Sequence, residues 1–103
     1  MKESDILKTV KEYLRWEGFF VIRIQQSLGS FKGMSDLVCV KNGVVLFLEL
    51  KTETGKQSEW QKIFQLQIQE SGGNYFVIRS VEEMARELEK LGLKNGNLMF
   101  EEW

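Results

Sequence analysis

The sequence has 103 residues, a net charge of -1, 43% hydrophobic and 12% aromatic content, which is room for one packed domain and no separate regulatory or targeting domain. The longest unbroken apolar stretch, Val44 to Leu48, is too short to cross a bilayer, and no charged-then-apolar leader opens the chain, so a soluble, intracellular, cytoplasmic protein is expected. A single cysteine, Cys39, and no histidine exclude an internal disulfide, the common zinc sites and histidine-based catalysis.

Carboxylates, lysines, amides and hydroxyls remain, an inventory suited to hard cations such as Mg²⁺ or Mn²⁺. The net charge gives no global basic field of the kind many nucleic-acid binders carry. The charges are uneven, however: residues 1–62 hold ten Lys/Arg against eight Asp/Glu, and residues 63–103 hold four against seven. If acids of the first part hold metal, the surface around them is more basic than the total suggests.

In chain order, Ser4 to Trp16 places Ile6, Leu7, Val10, Tyr13 and Leu14 at helical spacing and stops at Gly18, which predicts an amphipathic helix. Phe19 to Ile24 is apolar and β-branched and reads as a strand running into a loop. That loop, residues 28–33, is glycine-punctuated and expected to be mobile. Asp36 to Val40 and Val44 to Lys51 are strand-like runs joined by Asn42-Gly43, a hairpin signal because both central residues of a type I′ turn need positive φ.

After Thr52-Glu53-Thr54-Gly55, Ser58 is a natural N-cap for a helix from Glu59 to about Glu70, with Trp60, Ile63, Phe64 and Ile68 on one face. Ser71-Gly72-Gly73 ends it, and Tyr75 to Arg79 is another strand. Ser80 with Glu83 has the spacing of a capping box opening a helix to Leu91, with Gly92 at its end. The order α-β-β-β-α-β-α predicts an α/β fold with a mixed sheet flanked by helices. Residues 1–92 form the single domain, and residues 93–103 a tail.

The hairpin concentrates the chemistry. With a two-residue turn, Lys41 faces Val44, Val40 faces Val45, Val38 faces Phe47 and Asp36 faces Glu49. That last pair is at a non-hydrogen-bonded position, where Cβ atoms approach to roughly 4.5–5.5 Å. Lys51, two residues on, points to the same side. Facing like charges on apolar strands call for a cation between them. The alternatives are a slipped register, or two acids at a solvated sheet end with Lys51 as a surface partner. The strand from Val44 to Lys51 is apolar on both faces until Glu49, which favours a covered position and a purpose for the acid.

Gly33-Met34-Ser35-Asp36 followed by Glu49-Leu50-Lys51 resembles the signature of PD-(D/E)XK nucleases, whose restriction-endonuclease-like core has the order α-β-β-β-α-β. More narrowly the chain resembles the VRR-Nuc (virus-type replication-repair nuclease) group, over residues 3–84. That group has an acid near the start of the first helix, a Gly-x-x-Asp, a Glu-x-Lys before a glycine-containing loop, and a glutamine on the next helix. In this sequence these fall on Glu3, Asp36, Glu49 with Lys51, and Gln61. Ser35 stands where members commonly have proline. Helical phase agrees on Glu3, in line with Ile6, Val10 and Tyr13, whereas Glu12 lies about 180° from that stripe.

The resemblance implies a metal-dependent endodeoxyribonuclease of a bacterial or phage-infected cell. Asp36, Glu49 and the Leu50 carbonyl would hold one Mg²⁺ or Mn²⁺, with Glu3 binding directly or through water. Lys51 would orient the attacking water, and Gln61 would position Lys51 or the phosphate. Lys32, Lys56, Gln57 and Lys62 flank the site in sequence and are candidate phosphate contacts. Trp60 with Phe64 is read as helix core, and the apolar tail Leu98 to Trp103 as folding back or packing on a second subunit. Standalone members resemble Holliday junction resolvases, so the expectation is a homodimer acting on branched DNA. The alternatives are a less selective nicking or end-processing nuclease, or a catalytically silent nucleic-acid-binding module.

Overall fold

The protein is described by a computed structural model covering residues 1–25 and 31–94. Its elements are α1 (Glu3–Trp16), β1 (Phe20–Arg23), β2 (Leu37–Lys41), β3 (Val44–Leu50), α2 (Glu59–Glu70), β4 (Asn74–Ile78) and α3 (Val81–Leu91), the order expected from the sequence. The first part of the predicted mobile loop and the apolar tail from Leu98 lie outside the described residues. No helix among the described residues is long and apolar enough to cross a membrane.

The sheet has the order β1-β2-β3-β4. β1, β2 and β3 are antiparallel, and β4 adds in parallel to β3 after the α2 crossover, which makes β3 central. The hairpin turn forms as its residue types require, with Asn42 at φ 52° and Gly43 at φ 78°. It sets the register Lys41↔Val44, Val40↔Val45 and Val38↔Phe47, as counted from the sequence.

Alternation along the strands assigns the two faces. Val21, Leu37, Cys39, Leu46, Leu48, Leu50 and Ile78 pack with Ile6, Val10 and Leu14 of α1 and Met84 and Leu88 of α3 in one core. The opposite face carries α2 over β3 and β4, where Phe64 meets the rings of Phe47 and Tyr75 at 5.9 and 6.1 Å between centroids. On the β1 side no helix of the described residues lies over that face, where Phe20, Ile22 and Val45 stand exposed.

Three sequence expectations change. Of the predicted apolar face of α2, only Phe64 is buried; Trp60 and Ile63 are exposed and Ile68 half-buried, because the helix lies over a strip two strands wide. The Ser80 hydroxyl caps the Glu83 amide, but the Glu83 carboxylate accepts from the Arg79 amide rather than closing the box on Ser80. Leu93, assigned to the tail, is buried, and its carbonyl accepts from Lys41 Nζ at 2.9 Å beside the Glu17 carbonyl at 2.7 Å.

Candidate active site

β2 begins at Leu37, one residue later than expected, so Asp36 sits where the regular ladder ends. Its carbonyl accepts from the Ile24 amide and its amide donates to the Leu48 carbonyl at 2.8 and 2.9 Å. Its carboxylate Oδ2 accepts from the Leu50 amide at 2.7 Å. Asp36 is therefore held against the β3 segment Leu48–Leu50 by backbone and side chain together. The Asp36–Glu49 facing expected from the register survives as a meeting of side chains beyond the ladder rather than as a ladder pair.

Glu49 is 1% exposed, on the α2 face of the central strand. Its Oε2 accepts from Gln61 Nε2 at 2.7 Å and lies 3.4 Å from Lys51 Nζ. Its Oε1 is buried without a hydrogen-bond partner among the described residues. Burial pushes the carboxyl up from its ordinary 4.5 to about 8, and the negative charge of Asp36 adds to this while the Lys51 ammonium opposes it. The Lys51 ammonium thus does not fully offset the burial of an ionised Glu49 beside Asp36.

The surroundings explain the desolvation. Phe31, Phe47 and Tyr75 gather around Phe64, and Tyr75 is itself raised to about 12 by burial first and then by the Glu49 charge. Gln57 Nε2 donates to the Tyr75 hydroxyl at 3.2 Å and to Gln65 Oε1 at 2.9 Å.

Gln61 is positioned by the start of α2. The Ser58 hydroxyl accepts from the Gln61 amide, and Gln61 Oε1 accepts from the Ser58 amide at 2.8 Å, a reciprocal capping box that leaves Nε2 for Glu49. The same helical turn is packed by Gly33, buried at φ 82°, where any Cβ would sit inside the Trp60 carbonyl. Ser35, in place of the family's usual proline, is buried with its hydroxyl on the Leu37 carbonyl at 3.3 Å.

The structure thus brings together Asp36, Glu49, Lys51 and Gln61, with the Leu50 peptide beside them. Gln61 contacts Glu49 rather than Lys51. Glu3 is not brought to them: it is exposed at the first residue of α1, and among the described residues no three His, Cys, Asp or Glu form a metal-holding group. Glu3 is in phase with Ile6 and Val10, but phase gives direction and not depth: burial on α1 starts one turn later at Ile6, and α1 packs on the sheet face opposite Glu49.

Of the candidate phosphate contacts, Lys32 and Lys56 are exposed. Lys62 is exposed with its Nζ 3.4 Å from Glu59. Gln57 is engaged inside the fold. Trp60, read as core, is 46% exposed with Lys32 Nζ 4.9 Å from its ring centroid. One contributor had no signal in the sequence: Arg79 Nη1 donates to the carbonyls of Thr52, Glu53 and Gly55 at 2.7, 3.3 and 2.7 Å, fixing the loop that follows Lys51.

A buried carboxylate oxygen with no partner, a second carboxylate beside it and no histidine or thiol at hand suit a hard, oxygen-seeking divalent cation. Two carboxylates leave room for the waters such an ion keeps.

This sheet, its parallel fourth strand and the Asp/Glu-x-Lys cluster at the end of the hairpin are those of a PD-(D/E)XK-type nuclease domain. Nine solved chains match, among them a VRR_NUC domain at 27% identity and a TM-score of 0.74, over 84% of this chain and 94% of that one. The family description of archaeal Holliday junction resolvases, Hjc, matches residues 2–89, and the chain belongs to that family. No curated protein matches it. The VRR-Nuc resemblance and the restriction-endonuclease-like fold expected from the sequence are thereby borne out.

Proposed function

We propose that the chain is a divalent-metal-dependent endonuclease that cuts branched DNA as a homodimer. The observation that carries this reading is the buried Glu49, its Oε1 without a partner, beside Asp36. Asp36, Glu49 and the Leu50 carbonyl would hold Mg²⁺ or Mn²⁺, with Glu3 contributing at most through water. When bound, the ion supplies Lewis-acid polarisation of the phosphate and acidification of a water.

The side chains do the rest. The Lys51 side chain is 12% exposed, so it is largely withdrawn from solvent beside Glu49. It hydrogen-bonds the attacking water and neutralises charge that builds on the phosphoryl oxygens. Gln61 keeps Glu49 Oε2 in place, and Asp36 is kept in place by the Leu50 amide. Water adds to phosphorus and one ester oxygen leaves, giving a phosphate monoester and a hydroxyl end. Lys32, Lys56 and Lys62 supply phosphate contacts.

The family's junction-resolving description supports the choice of branched DNA. Two symmetric cuts require two sites, and the uncovered sheet face supports a two-fold contact: Phe20, Ile22 and Val45, with Ile63 and Leu66 of α2, are exposed apolar residues. The test is cleavage of four-way junction, duplex and single-stranded DNA with Mg²⁺ or Mn²⁺, comparing the parent with Asp36→Asn and Lys51→Ala. Preferential junction cleavage by the parent alone is expected. Absence of any cleavage would overturn the enzyme reading, and equal cleavage of all three the resolving one.

A further inference from the structure

The cluster of Trp60, Lys32 and Phe31 beside the acids is unexplained by a catalytic role. Trp60 is in the first turn of α2, one residue before Gln61, whose side-chain amide holds Glu49, so the exposed indole belongs to the same helical turn that supports the site. It is 46% exposed, and Phe31, which packs on Phe64 at 5.7 Å between centroids, is 49% exposed. The backbone beneath is held, because Gly33 is packed directly on the Trp60 carbonyl with no room for a Cβ. Lys32 Nζ stands 4.9 Å from the indole centroid.

An exposed ring on a closely packed backbone, next to a cation and on the helical turn that supports the proposed phosphodiester site, combines the two parts that bind an unstacked nucleotide. The ring offers a surface on which any base stacks, and the cation meets the phosphate joined to that base. A ring serving only the core would be covered as Phe64 is.

We propose that Trp60 and Lys32 form a subsite that stacks a base of the DNA left unstacked at a branch or gap, next to the bond to be cut. The proposal rests on the nuclease reading for its substrate class and adds that the protein senses unstacked bases at a branch or gap. A continuous duplex keeps its bases paired and offers this ring nothing to stack on.

Binding without cleavage tests it. With no divalent ion present, the parent, Trp60→Ala, Trp60→Phe and Lys32→Ala are titrated with a gapped duplex carrying 2-aminopurine in the gap, and with the intact duplex. Trp60→Ala is expected to weaken binding of the gapped DNA about tenfold and to leave the intact duplex within about twofold. Trp60→Phe should recover most of the loss. The parent should quench 2-aminopurine fluorescence and Trp60→Ala should not. Lys32→Ala should weaken both DNAs and flatten the salt dependence.

Equal weakening of both DNAs by Trp60→Ala, or unchanged quenching, would overturn the proposal. So would a Trp60→Ala protein that sediments as a monomer where the parent is a dimer, which would assign the ring to a subunit contact. Because no step needs catalysis, a parent that stacks the base but never cuts would sink the nuclease reading alone.

Discussion

Gln61 Nε2 lies 2.7 Å from Glu49 Oε2 while Gln61 Oε1 accepts from the Ser58 amide at 2.8 Å. One side chain both opens α2 and holds the buried acid, so the helix start and the site are a single hydrogen-bonded unit. Gln61→Ala removes both bonds. Stability is expected to fall by about 1 kcal/mol, the usual value of a cap. The kcat on junction DNA should fall about 10- to 100-fold with KM little changed, as for other groups that orient a ligand. A lower melting temperature with unaltered kcat would show that the contact matters only to the helix.

Glu49 links stability to pH. In the unfolded chain it ionises near its ordinary 4.5, and in the fold it keeps its proton to about 8. Between those values the unfolded state releases a proton that the folded state retains. The stability this gives is complete below pH 4.5, falls as pH rises through the window by up to about 1.4 kcal/mol per unit, and is gone above the folded value. Thermal melts from pH 5 to 9 without divalent ions should show the decline, and Glu49→Gln should abolish it. Added Mg²⁺ should raise the melting temperature at pH 8.5 and scarcely at pH 5, because the ion and the proton compete. A parent profile superimposing on that of Glu49→Gln would contradict the assignment.

Asp36→Asn separates folding from chemistry. An asparagine oxygen can still accept from the Leu50 amide, which Asp36 Oδ2 now does at 2.7 Å, and the repulsion felt by Glu49 disappears. The variant is expected to melt at or above the parent temperature at pH 8, with cleavage reduced about a thousandfold, the order for several kcal/mol of lost transition-state stabilisation. An unfolded variant, or one with near-parental activity, would remove Asp36 from its proposed place.

Gly33→Ala combines a positive φ of 82° with a clash against the Trp60 carbonyl. The loop and the first turn of α2 must part, at a cost of about 1–3 kcal/mol. Urea denaturation should show the loss, together with altered tryptophan fluorescence and weaker cleavage. Parental stability would mean that the loop does not press on the helix.

The sequence was informative where local chemistry is decisive. Asn42-Gly43 permits one turn type, and from that turn the register down to Leu37↔Leu48 follows. Ser58 reads as the N-cap of α2, and its hydroxyl accepts from the Gln61 amide three residues on. What the sequence concealed depends on how far one element reaches over another. Glu3 has the inward phase but lies a turn before burial begins. Trp60 has the spacing of a core residue, yet α2 covers too narrow a strip of sheet to bury it. Gln57 reads in the sequence as a candidate phosphate contact and is taken up by Tyr75 and Gln65. Arg79 lies 24 residues beyond the Gly55 carbonyl it binds, and no local pattern announces such a bond.

That bond bears on the order in which the site matures. Synthesis has delivered Asp36, Glu49, Lys51 and Gln61 well before β4 and Arg79, and the parallel pairing of β3 with β4 must close over the whole of α2. Such non-local pairing forms late relative to a tight hairpin. A chain ending at Glu70 is therefore expected to carry the cluster of acids, lysine and glutamine and yet cut nothing. The nascent protein would be harmless to nucleic acid until its last strand docks.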